Sequence, residues 1–318
     1  MKKVTLLVIT LVTVVNLYAQ DRNAVVAAYN EGAKAAQTDA AAAIAAFEKA
    51  ITLADQVGTE AADLKEKATK VLPGLYIKVA SAAASEKKPA AEIMKAAKSA
   101  VVVAEKYGTQ THKDNSAKLL VQAYNIQATG YFSQNELDKA LVTFDSLLAI
   151  NPGYASALYN KALIYIKQDN AVSFEQSIDL YIENLKVTND TTKIKTASAQ
   201  ALGYFRAAGS KASQAGKLDD ALGLLNKALK YGNDKDLFYF LADVYNKKKN
   251  FDSGLEYAKK GLNLETGAAE TKAKFWFQIG LAQSGKGQTA DACASFKNST
   301  YGAFAEASKA ERKNLKCE

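Results

Sequence analysis

The chain has 318 residues, with 41 Lys and Arg against 33 Asp and Glu, for a net charge of +8. That surplus is small, and no Lys/Arg stripe is interleaved with aromatics, so a nucleic-acid partner is excluded. One histidine, His112, and two cysteines leave too few ligands for a histidine metal site or a His-based triad.

Residues 1–19 read as a secretory signal: Lys2 and Lys3, an apolar run from Val4 to Leu17, then Ala19 before the polar Gln20 and Asp21. The run of fourteen is short for a membrane span. No cysteine follows it to carry a lipid, so the expectation is a chain exported to the periplasm or beyond, unless the signal stays as an anchor. No later run is apolar enough to span a membrane. Few prolines, abundant Ala and Lys, and the lack of alternating β-branched runs predict helix throughout.

Along the chain a triplet recurs: a small residue, an aromatic or apolar one four later, and a small one three further on. It reads Ala43, Phe47, Ala50; Ile93, Ala97, Ala100; Ala140, Phe144, Leu147; and Ser177, Tyr181, Asn184. Next come Ala221, Leu225, Ala228; Gly254, Ala258, Gly261; and Ala292, Phe296, Ser299. First positions lie 50, 47, 37, 44, 33 and 38 residues apart. Longer spacings call for longer first helices, as at Thr191 to Ala215, and for added turn residues at Ala171 to Ser173. AITLADQVG at 50–58 aligns with AVVVAEKYG at 100–108, which points to duplication of the first two units. Upstream of the triplets stand Tyr124, Ala128 and Tyr131; Tyr159, Ala162 and Tyr165; Phe205 and Gly209; and Tyr239, Ala242 and Tyr245. Ser133 to Glu136 offers a capping box, and Asn151 to Gly153 a turn.

The last stretch, Trp276, Ile279 and Gly280 followed by Ala292, Phe296 and Ser299, resembles the tetratricopeptide repeat, a helix-turn-helix unit of 34 residues. Small residues there let two antiparallel helices approach while Trp276, Ile279 and Phe296 fill the seam. The resemblance covers about 22–300 and implies an all-α fold, a right-handed superhelical α-solenoid of about seven hairpins. Their bounds are 22–57, 59–107, 110–150, 153–187, 190–231, 234–265 and 268–300, within one array over 20–318. A capping helix at 302–316 would carry Phe304 and Ala307 on one side.

The resemblance also implies a concave surface lined by first helices, used to bind a protein or peptide. The residues expected on it are Asn125, Asn160, Arg206, Tyr239 and Phe277, with Thr129, Ser210, Asp243 and Leu281 one turn on. The carboxylate clamp of co-chaperone members is not matched, since Thr129 follows Asn125 and Leu163 follows Asn160. No cofactor is expected. Gly280, Gly285 and Lys286 approach a phosphate-loop pattern, but Gly287 stands where Ser or Thr should bind magnesium, and the turn needs glycine anyway. His112 reads as a surface residue near a helix start, and Asp219 and Asp220 as acids at a helix N-terminus. Lys247 to Lys249 reads as a solvated helix end, with Lys247 on the convex side.

Export makes a Cys293–Cys317 disulfide chemically possible. A tail folded back about Gly302 sets Cys293 opposite Glu311, so Cys317 overshoots by some six residues, about 9 Å of helix, and a bond needs fraying. The function expected is a non-enzymatic binding scaffold of the cell envelope. A structural assembly subunit, or part of a peptidoglycan-acting enzyme, stands as the alternative.

Overall fold

The structure, a computed structural model, describes residues 22–317; the signal read over 1–19 lies outside them. The chain divides into two compact units, Met1–Ala157 and Leu158–Glu318, with the division inside a helix. No strand occurs among the described residues.

Unit 1 runs α1 (22–35), α2 (Ala40–Val57), α3 (Ala62–Ser85), α4 (Ala90–Tyr107), α5 (Gln110–Ser133) and α6 (Leu137–Ile150). After α7 (Ala155–Lys167), which spans the division, unit 2 continues with α8 (Ala171–Val187), α9 (Thr191–Gln214), α10 (Leu218–Tyr231), α11 (Lys235–Lys247) and α12 (Phe251–Leu264). It ends with α13 (Ala269–Gly285), α14 (Thr289–Asn298) and α15 (Ala305–Asn314). Odd-numbered helices up to α13 are first helices of hairpins and even-numbered ones second helices. The irregular repeat length resides in the first helices. The 24-residue α3, α5 and α9 fall in the long spacings, while the 13-residue α7 and α11 and the 17-residue α13 fall in the short ones.

Hairpin closure follows one stereochemical rule. Asn135, Gly216, Lys249 and Gly287 each stand five residues before the triplet's small residue, and each has a positive φ of 59° to 75°. At every one of these turns the next residue's N–H donates back to the carbonyl five earlier, as in Gln288 to Gln283 and Asn250 to Tyr245. This is the Schellman closure, which needs a left-handed residue. Gly287, with φ of 74° and open space around it, is therefore a turn glycine. The expected box at Ser133 to Glu136 is displaced by this closure: Ser133 ends α5 and its hydroxyl donates to the Gly130 carbonyl. A box forms instead at Thr109, whose N–H donates to His112 Nδ1 at 3.2 Å, so half-buried His112 caps α5 rather than standing free on the surface. Ala171 to Ser173 are the first turn of α8, not added turn residues, because the Asn170 side chain accepts from the Ser173 N–H.

Inside the hairpins small residues meet large ones. A Cβ added to Gly280 would lie 2.7 Å from Phe296, one on Gly209 2.7 Å from Leu225, and one on Gly32 2.9 Å from Phe47. Phe47, Phe144, Leu225 and Phe296 are fully buried. Between hairpins the pattern repeats, with Gly261 seated on the Phe275 ring. Two expected seam residues shift. Trp276 is half-buried, leaning on the Ala242, Ala258 and Ile279 cluster, while its neighbour Phe275 is fully buried. Asn184 is likewise only half-buried, and Leu185 fills the place.

The tail departs most from expectation. Gly302–Phe304 form a 3-10 turn, so α15 starts three residues late, and a last Schellman turn with Lys316 at φ of 54° brings Cys317 back. Cys293 and Cys317 are bonded, with Cα atoms 5.6 Å apart. Fraying is not needed, because the 3-10 turn and the closing turn absorb the overshoot. Ala307 is exposed, and the residue of α15 that is buried is Ser308, 2.7 Å from Ser299. The disulfide ties the end of α15 to α14, a contribution of at most about 3.5 kcal/mol by loop-closure entropy, beside the Ser308 to Ser299 hydrogen bond.

Candidate functional site

The first helices of unit 2 carry most of the expected binding residues. Arg206, Tyr239 and Phe277 each lie fifteen residues before the small residue of their triplets, so the repeat puts them in register on α9, α11 and α13. Phe304 supplies the direct evidence that two of them share a face. Its ring lies 5.4 Å from that of Phe277 and 6.5 Å from that of Tyr239.

One turn on, Asp243 is the hub of a polar network. Its carboxylate accepts from Lys247 Nζ at 2.7 Å, the Ser213 hydroxyl at 3.2 Å and Gln278 Nε2 at 3.3 Å, which links α11 to both α9 and α13. Lys247 Nζ also donates to the Ser213 hydroxyl at 3.2 Å. Gln278, 2 % exposed, accepts from Asn246 Nδ2 through both its side-chain and its backbone oxygen, each at 2.9 Å. Buried polar groups of this kind fix the relative positions of the helices that bear them, because each would cost free energy if left unpaired. Lys247 therefore belongs to the same cluster as Asp243 and not to the opposite side, since residues four apart on a helix stack.

Beside the network, burial first, and then the Asp243 charge, pushes the Tyr239 phenol above its ordinary range; a hydrogen bond to Gln278 opposes this. Lys274 Nζ sits 5.3 Å over the Tyr239 ring and bonds Asp236 at 2.6 Å. Arg206 pairs with Asp234, the N-cap of α11, so its charge is committed to the next hairpin. Ser210 and Leu281 are half-buried on α9 and α13.

Asn160, on α7, is half-buried. In unit 1, Thr129 donates to the Asn125 carbonyl at 2.7 Å within α5, and the Asn125 side-chain oxygen is buried without a partner. These two are not tied to a neighbouring hairpin by any contact resembling the Asp243 network.

Reading the sequence missed Ser213, Lys247, Gln278 and Phe304. A glutamine inside the apolar run FWFQIG was the one available signal, since a polar residue there must find a buried partner. Grooves of larger volume than the one of about 320 Å³ beside Lys274 and Phe304 lie elsewhere. One of about 590 Å³ runs along α9 past Tyr204, Ala208 and Lys211, and one of about 910 Å³ runs along α3 past Tyr76, Val79 and Ala82. Among the described residues no helix is long and apolar enough to cross a membrane.

No family model and no curated relative matches the chain. Similar solved structures include MamA, with 18% identity over 62% of this chain and 96% of that one, at a TM-score of 0.35. A tetratricopeptide repeat protein from Parabacteroides merdae ATCC 43184 has 18% identity over 93% of this chain and 99% of its own, at 0.29. YrrB, described as a TPR protein with an unusual peptide-binding site, has 20% identity over 60% and 77%, at 0.25. Scores this low carry no argument, and the assignment rests on the hairpins themselves. Small residues packed on large ones, with a left-handed turn five residues before the second-helix anchor in four of the hairpins, give the described residues the all-α array of helical hairpins that the resemblance to the tetratricopeptide repeat implies.

Proposed function

We propose that the chain is a non-enzymatic scaffold of the bacterial cell envelope that binds a protein or extended peptide on the first-helix face of unit 2. The observation that carries this reading is the network of Asp243 with Ser213, Lys247 and Gln278, set beside Tyr239 and Phe277. It offers fixed donors and acceptors next to apolar rings, which suits a peptide backbone and its side chains and demands no cofactor. Placement in the periplasm is supported by the signal-like residues 1–19 and by the Cys293–Cys317 bond, which an oxidising compartment sustains.

In-cell photocrosslinking tests the proposal. A photoreactive residue at Ser210 should capture a defined partner, and Asp243→Lys should abolish the capture while helicity is kept. Capture from exposed Lys259 on α12, with none at Ser210, would move binding to the second helices and overturn the reading.

A further inference from the structure

The tail lays one of its own rings on the first-helix face. Phe304 is half-buried, its ring on Phe277 and Tyr239, while its neighbours Tyr301, Gly302 and Ala303 are exposed. Gly302 has a φ of 51° and passes directly over the Glu270 carboxylate, where a Cβ would lie 3.0 Å from an oxygen. Small residues on both sides of the ring thus let a chain segment lie close to α13. Because α15 is held by the disulfide and buries only Ser308, the segment between Cys293 and Cys317 stays tethered even when its ring is lifted.

We infer that Phe304 is a built-in stand-in for the partner: the face between α11 and α13 takes an aromatic side chain flanked by small residues, and an incoming peptide of that kind displaces the tail's own ring. The inference rests on the scaffold reading above and names the partner's chemistry. Aromatic rings prefer tilted and edge contacts at 4.5 to 7 Å, and both contacts of Phe304 fall in that range, at 43° and 78° between planes. Lys274, its ammonium over Tyr239, closes the platform from the side.

The test uses the full chain and a fluorescent peptide copying residues 299–307 (STYGAFAEA), beside a version with Ala for the Phe. Phe304→Ala should bind the Phe peptide about tenfold more tightly than the wild type does, and about tenfold more tightly than it binds the Ala peptide. Adding Phe277→Ala should remove that preference. Equal binding of the two peptides, or none, by a variant of native helicity and intact disulfide overturns the inference. A second readout needs no vacated site: a photoreactive residue replacing Phe304 should crosslink to α11 or α13, and excess Phe peptide should suppress it. Crosslinking that persists undiminished contradicts displacement. Partner capture at Ser210 in cells, together with failure of both peptide tests, would sink this inference alone and leave the scaffold reading standing.

Discussion

The two units solve the same packing problem with different materials. Unit 1 leans on alanine: Ala43, Ala50, Ala68, Ala97, Ala100 and Ala104 are buried, with Tyr29 edge-on to Phe47 among them. Unit 2 uses rings, including Phe174 on Phe205, Phe205 stacked on Tyr231, and Phe277 on Phe296. It also ties hairpin to hairpin with charge, through Lys227 to Glu175 at 2.6 Å and Lys274 to Asp236 at 2.6 Å. Partly exposed pairs of this sort contribute little each. Unit 1 has such pairs too, Arg22 with Asp63 at 3.2 Å and Lys113 with Glu105 at 2.8 Å, so the difference between the units lies in the rings and in the Asp243 network. Alanine seams permit close backbones and little specificity; packed rings and a buried polar network such as that at Asp243 and Gln278 hold a surface in one shape. The second kind of construction is what a binding face requires.

Emptying a ring seam should separate the units most. Phe296→Ala, by removing a fully buried ring from Gly280, should cost about 3 to 5 kcal/mol, with amide-exchange protection lost in α13 and α14 and kept in α2 to α4. Trp276→Ala should cost only about 2 kcal/mol, because that ring is already half in water. Uniform loss of protection across both units would show that they do not differ in this way.

Removing the tail's tie comes next. Cys293→Ser with Cys317→Ser should lower the stability of unit 2 by at most about 3.5 kcal/mol and leave unit 1 unchanged in denaturant titration followed by amide exchange. Crowding a seam should cost less. Gly280→Ala, whose new methyl meets the Phe296 ring, and Gly32→Ala, whose methyl meets Phe47, should each destabilise by about 1 to 3 kcal/mol, each in its own unit.

How much of this was readable beforehand depended on the kind of contact. The helices and the small-on-large seams announce themselves because sterics fix both residue type and spacing, so Gly209, Gly280 and Phe296 could be named from sequence. Polar partners at Asp243 could not, since Ser213, Lys247 and Gln278 lie 30, 4 and 35 residues away and many exposed residues look the same. The course of the tail is not legible in the sequence, because a 3-10 turn at Gly302–Phe304 breaks the helical period that the six-residue overshoot assumes.

The smallest effects are those of pH, and one group in each unit illustrates them. In unit 1 burial, helped by the Glu48 carboxylate that accepts from its hydroxyl at 2.6 Å, pushes the Tyr76 phenol up to about 12. A raised folded-state value favours the neutral phenol, so this stabilisation is whole below about pH 10 and is lost as pH rises through about 12. Glu48→Gln should bring the Tyr76 ionisation down in an ultraviolet titration, and an unchanged curve would refute the coupling. In unit 2 the Lys235 ammonium, with the Gly267 N–H, holds the Glu265 carboxyl below its ordinary 4.5. A lowered value favours the carboxylate, so that contribution is present above about 4.5 and is lost as pH falls through the folded value. Acid should therefore loosen the α12–α13 joint in amide exchange, and Lys235→Met should remove that pH dependence.

The claim that unit 2 is the binding half is tested most directly by photocrosslinking in intact cells from three positions that stand eleven residues before their triplets: Thr129 in unit 1, and Ser210 and Leu281 in unit 2. Capture of a common partner from Ser210 and Leu281, with none from Thr129, is the predicted result. Capture from Thr129 alone would contradict it.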